Sequence, residues 1–143
     1  MKIRLVMLGK TKRGELRALL NDYVARIAHS CPIFTSELRD STEAALARLK
    51  LDPAAHLVLL DAAGRNFSSQ EFARWLAALR DHGTRELVFL CGDDTGFPAA
   101  FRKRARESLS LSRLTMPHEL ARVVLAEQIY RAFAILSGHP YAK

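Results

Sequence analysis

His56-Leu57-Val58-Leu59-Leu60-Asp61 is an almost continuous apolar run closed by a carboxylate. A run this short and this apolar suits a strand buried on both faces, as in a parallel sheet. Glu86-Leu87-Val88-Phe89-Leu90-Cys91 repeats the pattern. Between the two, Ser68 or Ser69 caps a helix running to about Arg80, with Phe72, Trp75, Leu76 and Leu79 on one face. Gly83 stands where a glycine is expected beyond a helix end. Strand, helix and strand of these lengths form one crossover unit.

The alternation continues in both directions. Toward the amino end, Lys2 to Leu8 alternates and is rich in branched residues, so it reads as the first strand. A basic loop, Lys10 to Gly14, leads to a helix from Glu15 to Ala28. Cys31-Pro32 breaks that helix, and Ile33 to Leu38 reads as the second strand. A helix beginning at Asp40 to Glu43, capped by Ser41 or Asp40, runs through Leu51 to Asp52-Pro53. Asp61 and the loop Ala62 to Asn66 close the third strand.

Toward the carboxyl end, Gly92 to Gly96 is a loop, and Pro98 opens a short helix carrying Arg102 to Arg106. Ser108 to Met116 mixes leucine and serine. Pro117 starts a long final helix, His118 to about Ser137. The expected architecture is α/β, a parallel sheet flanked by helices on both faces, in a single domain over residues 1–143.

A net charge of +7, from 22 Lys and Arg against 15 Asp and Glu, favours a polyanionic partner through counterion release. A solvated, solubilising surface is the plainer account of the same charge. No apolar run approaches the ~18 residues of a membrane span, and the first residues read as a strand, not a signal peptide. A cytoplasmic location is expected. Cys31 and Cys91 have no ligand spacing, and His29, His56, His82, His118 and His139 are scattered, so no metal is expected. Cys91 reads as a small core residue.

Ligands of open α/β sheets sit at the carboxyl ends of the strands. Three segments end there: Leu59-Leu60-Asp61 with Gly64, Gly92 to Gly96, and Leu111 to Met116. Neither a G-x-G-x-x-G nor a G-x-x-x-x-G-K-[ST] pattern is present, which argues against ordinary dinucleotide and P-loop sites. Leu111, Leu114 and Met116 also fit as plain core.

The run Thr115-Met116-Pro117-His118-Glu119-Leu120-Ala121-Arg122-Val123-Val124-Leu125-Ala126-Glu127-Gln128-Ile129-Tyr130-Arg131-Ala132 closely resembles the signature of the RlmH family, as does the ending His139-Pro140-Tyr141. The likeness extends weakly along the whole chain. It implies a SPOUT fold with a trefoil knot and a homodimer that binds S-adenosyl-L-methionine. The implied activity is methylation of ring nitrogen 3 of a pseudouridine in 23S rRNA on the assembled ribosome. Carried over by position, Leu60, Gly92, Leu111, Ser112, Arg113, Leu114, Thr115 and Met116 would contact the cofactor. Arg131, His118 and Tyr141 would surround the target base. His118 is equally well read as a plain residue of the helix start. Glu127, four residues before Arg131, would orient it through an ion pair. Lys10, Lys12, Arg13, Arg102, Lys103, Arg104 and Arg106 are candidates for rRNA phosphate contacts.

Two positions depart from the family pattern. Asp93-Asp94-Thr95 stands where relatives carry a more glycine-rich loop, and the tail stops at Tyr141-Ala142-Lys143 without a further basic or histidine residue directly after the tyrosine. The acidic loop keeps a second reading open, a non-catalytic RNA- or ribosome-binding protein of the same fold. A methyltransferase of that fold acting on tRNA is a third.

Overall fold

The computed structural model describes residues 1–93 and 95–142; the expectations placed on Asp94 and Lys143 lie outside them. Strands β1 (Lys2–Leu8), β2 (Ile33–Leu38), β3 (His56–Asn66), β4 (Glu86–Cys91) and β5 (Glu107–Ser110) form one sheet. Their order is β2-β1-β4-β3-β5, and all four pairings are parallel. The α/β expectation holds.

The apolar runs are explained by parity. Successive side chains of a strand point to opposite faces. Leu87, Phe89 and Cys91 of β4 therefore join Ile3, Leu5 and Met7 of β1 in one core. Val88 and Leu90 join Val6 and Leu8 in the other. Helices α1 (Gly14–Ile27), α3 (Ser69–Asp81) and α5 (His118–Ser137) cover the first face, with Leu20, Phe72 and Ile129 buried there. The second face is covered by α2 (Glu43–Ala47) and α4 (Ala99–Arg104), through Leu46 and Phe101. A short 3-10 turn, Pro140–Ala142, folds the tail back toward α5.

Three local expectations change. First, β3 does not stop at Asp61. It continues to Asn66, with a register shift between Leu60 and Arg65, so that Arg65 pairs with Leu109 and Asn66 with Ser110. Gly64 permits this, because a Cβ there would lie 2.6 Å from the Ser108 carbonyl carbon. The glycine serves close approach of two backbones, not a turn. Second, α2 is capped by Thr42, whose Oγ1 accepts from Ala45 N at 3.1 Å, and it ends at Ala47. Its last turn tightens, with Leu49 N bonded to Leu46 O and Lys50 N to Ala47 O, and Lys50 at φ 50° then leaves the helical path. Third, the serine-leucine stretch contains the edge strand β5.

At α3 the choice of cap resolves to Ser68. Its hydroxyl accepts from Glu71 N, and the Glu71 carboxylate accepts from Ser68 N, a reciprocal pair that satisfies two otherwise orphaned donors. No helix among the described residues is long and apolar enough to cross a membrane.

Candidate methyl-donor site

At the carboxyl end of β4 and the register shift of β3 the chain opens a cleft of about 250 Å³. Enclosed small-molecule sites run from roughly 300 to 1,000 Å³. It is lined by Leu60, Asp61 and Ala62 of β3 and by Cys91, Gly92 and Asp93 at the end of β4. The segment after β5 contributes Leu111, Ser112, Leu114, Thr115 and Met116. Gly96, Phe97 and Arg102 line it from the loop after β4 and from α4, and His118 and Ala121 from α5.

Each part of the lining has a local cause. Ser110 Oγ donates to Ser112 O at 3.0 Å, and Ser112 Oγ accepts from Leu114 N at 3.0 Å. These bonds bend the chain into a serine turn that throws Leu114 outward, 79% exposed. Leu114 is therefore not core, whereas Leu111 packs against the main cluster. Gly92 lies against Phe97, whose ring a Cβ would approach to 3.2 Å. Gly96, at φ +82°, lets the following loop turn back onto Asp93. Asp93 accepts from Thr95 Oγ1 at 2.6 Å and Thr95 N at 2.9 Å, and the Thr95 side chain is the main reason its carboxyl sits below the usual range. The Asp93 carboxylate thus folds onto its own turn.

Asp61 is held twice. Its Oδ1 accepts from Ala63 N at 2.9 Å and its Oδ2 from Arg102 Nη1 at 3.1 Å. The Ala63 amide, and after it Arg102, hold the Asp61 carboxyl below its ordinary value against the opposing effect of burial.

Arg122 is 1% exposed and unpaired with any carboxylate among the described residues. It donates to Leu8 O at 2.7 Å and Thr11 Oγ1 at 2.9 Å. Thr11 N donates to Glu37 at 2.7 Å, Arg17 donates to Thr11 O at 2.6 Å, and Glu119 accepts from Arg13 N at 3.0 Å. The loop after β1 is therefore fixed on all sides, while Lys10, Lys12 and Arg13 stay exposed.

Seven of the eight residues expected at a cofactor line this cleft: Leu60, Gly92, Leu111, Ser112, Leu114, Thr115 and Met116. Arg113 is exposed beside it. His118 also lines it. Arg131 and Tyr141 do not. They stand thirteen residues further along α5 and beyond, roughly 20 Å away at 1.5 Å per residue. There Arg131 Nε and Nη2 donate to Glu127 Oε1 at 2.8 and 2.6 Å. Tyr141 Oη reaches Glu127 Oε1 at 3.1 Å and Tyr23 Oη at 3.2 Å. The Arg131 guanidinium lies 5.2 Å from the Tyr141 ring centre, and Tyr130 meets that ring edge-on. Burial, then the hydrogen bonds with Tyr23 and Glu127, push the Tyr141 hydroxyl pKa upward. The expected Glu127–Arg131 pair is present. The expected grouping of Arg131, His118 and Tyr141 does not form within one chain.

Sequence reasoning misses two lining residues, Phe97 and Arg102. Arg102 is read from sequence only as a phosphate contact and Phe97 is passed over, although an aromatic directly after Gly96 is available as a signal; Asp61 lies in a segment expected at a ligand, without a role of its own. No group of three metal-ligating side chains occurs among the described residues.

A family model described as "Predicted SPOUT methyltransferase" matches residues 1–142. The chain is 42% identical to a Ribosomal RNA large subunit methyltransferase H of Koribacter versatilis (strain Ellin345), over 99% of this chain and 97% of the relative. It is 41% identical to the protein of that name from Geotalea daltonii (strain DSM 22248 / JCM 15807 / FRC-32), over 99% of both. Among solved structures, a probable methylase family protein from Haemophilus influenzae Rd KW20 shares the fold, with a TM-score of 0.59 at 10% identity, over 95% of this chain and 68% of that one. With the family model matched over residues 1–142 and the two methyltransferase H relatives over 97% and 99% of their length, the chain belongs to the SPOUT methyltransferase family, in the group of the ribosomal RNA large subunit methyltransferases H.

Proposed function

We propose that the chain methylates ring nitrogen 3 of a pseudouridine in 23S rRNA of the assembled ribosome, with S-adenosyl-L-methionine as donor, in the cytoplasm and as a homodimer with the family's trefoil threading. The observation that carries the reading is the cleft itself, in which Leu60, Gly92 and five residues of the 111–116 segment converge. The lining fits the donor's chemistry. Leu60, Leu111, Leu114 and Met116 offer apolar contact to a purine, Gly92 brings backbone groups close, and Asp61 and Arg102 offer charge.

The bound donor supplies an electrophilic sulfonium methyl. The protein's part is placement and protonation. Ring nitrogen 3 carries a proton and becomes nucleophilic once that proton passes to solvent water, and a nearby cation favours the deprotonated base. Arg131 is that cation, oriented by Glu127. Tyr141 offers a ring for base stacking, worth about 1–3 kcal/mol per base, and His118 stands at the cleft. Holding base and methyl in line supplies much of the rate.

Because His118 and Arg131 lie about 20 Å apart on one helix, they meet a single base only if two copies contribute. The outer face of α5 supports such pairing. The helix is apolar nearly all round, with Leu120 and Leu136 each 37% exposed and Val124 half-buried.

Calorimetric titration with S-adenosylmethionine and S-adenosylhomocysteine tests the reading. Saturable binding in the micromolar range, lost in Gly92→Arg, is the expected result, followed by methyl transfer to unmodified 70S ribosomes. Absence of binding both to the free protein and in the presence of ribosomes refutes it. Methylation of tRNA instead of ribosomes refutes the substrate.

A further inference from the structure

The charged part of the cleft has no assigned task. Arg102 extends from α4, its guanidinium 5.8 Å from the centre of the Phe97 ring that backs onto Gly92. Its Nη1 donates to Asp61 Oδ2 at 3.1 Å. Asp61 keeps its other oxygen on Ala63 N. The two side chains are 51% and 22% exposed, so both remain open to a ligand. The result is one permanent cation and one carboxylate, side by side in the lining of an otherwise largely apolar cleft.

We propose that this pair is the subsite for the α-amino-carboxylate end of the methyl donor, Arg102 taking the carboxylate and Asp61 the ammonium. The inference rests on the cofactor reading above and extends it to Arg102, which the sequence reading left outside the cofactor site, and to the Asp61 carboxylate, to which it gave no role. A guanidinium carries five N–H donors in a planar fork that matches a carboxylate bidentately, and the bond to Asp61 engages the Nη1 group alone. An arriving amino acid zwitterion exchanges one internal ion pair for two of the same sense, so no charge is left uncompensated. His118, the other basic side chain on the cleft among the described residues, sits where it interacts with Asp93 and Glu119. Among the described residues no hydrogen bond or close ion pair joins it to either carboxylate, whereas Arg102 is bonded to Asp61.

The test compares two ligands that share the adenosyl thioether. S-Adenosylhomocysteine carries the amino acid end, and 5′-methylthioadenosine does not. Calorimetry on the intact protein should show Arg102→Gln weakening S-adenosylhomocysteine at least tenfold while 5′-methylthioadenosine stays within about twofold. Arg102→Lys should recover part of the loss, and Asp61→Asn should repeat the selectivity. Equal weakening of both ligands by Arg102→Gln overturns the assignment, because Arg102 then supports the cleft as a whole. Unchanged S-adenosylhomocysteine affinity in Arg102→Gln overturns it as well and leaves the cofactor reading standing. A parent protein that binds neither ligand, with or without ribosomes, removes both.

Discussion

Replacing Gly64 with alanine should separate two strands. The added Cβ would sit 2.6 Å from Ser108 C, 2.7 Å from Ser108 O and 2.8 Å from Leu109 N, where ordinary contacts begin at 3.4 Å. The neighbours are backbone atoms of β5, so no side chain can rotate away. Relief needs a shift of 3.4 − 2.6 = 0.8 Å between β3 and β5. Overpacking of this kind costs about 1–3 kcal/mol. For a chain near 150 residues each kcal/mol moves the melting temperature by roughly 2–4 °C, so Gly64→Ala should lower it by about 2–12 °C. Because β5 leads directly into Leu111 to Met116, the same variant should weaken S-adenosylhomocysteine. Gly14→Ala is the control: nothing lies within 4 Å of its Cβ, and its first-turn helical position should leave stability unchanged or raise it by up to about 1 kcal/mol. Differential scanning calorimetry and ligand titration read both effects. A Gly64→Ala protein that melts within about 1 °C of the parent and binds S-adenosylhomocysteine normally refutes the close-approach argument.

Other consequences can be measured independently. Ser68→Ala removes the capping hydroxyl of α3 and should cost about 0.5–2 kcal/mol in urea unfolding, with the slope unchanged. Burial raises the Cys31 thiol to about 11, so at pH 8 about one thiol in a thousand is ionised, against roughly a quarter of free thiols with pKa ~8.5. Alkylation of Cys31 in the native protein should be correspondingly slow and should recover on unfolding. The Asp61 carboxyl is held below its unfolded value, so the stability it contributes is present above that value and is lost as pH falls through the folded one. Urea midpoints measured downward from about pH 5 should fall less steeply in Asp61→Asn than in the parent.

Much of the fold was readable because burial on two faces leaves a mark. β1, β2 and β4 have the boundaries that alternation and apolar runs indicate, since every residue of β4 must satisfy a core on one side or the other. β5 leaves no such mark. It is a four-residue edge strand with two serines, paired with Val58 to Leu60 and, past the register shift, with Arg65 and Asn66, which read as a turn. Gly64 is ambiguous in sequence for the same reason, because freedom to turn and room for a neighbour call for the same residue. The cleft was legible through the 111–116 segment and the Gly92 loop. Arg102 was not, because a run of positive charge carries no direction. Only the seating of α4 on Phe101 decides that Arg102 faces the cleft while Lys103 and Arg104 face solvent. The separation of His118 from Arg131 was available all along in their spacing on one helix.

Arg122 bonds to Leu8 O and Thr11 Oγ1 across 114 and 111 residues, and the central strand β4 is the fourth of five to be made. During synthesis at ~5–20 residues per second, the loop after β1 waits about 6–23 s for the arginine that fixes it. The first strand emerges with one neighbour, β2, and gains its second only when residues 86–91 follow. Vectorial synthesis therefore completes the cleft only when Leu111 to Ala121 have followed the sheet, and a chain released before Arg122 lacks the clamp on its own first loop.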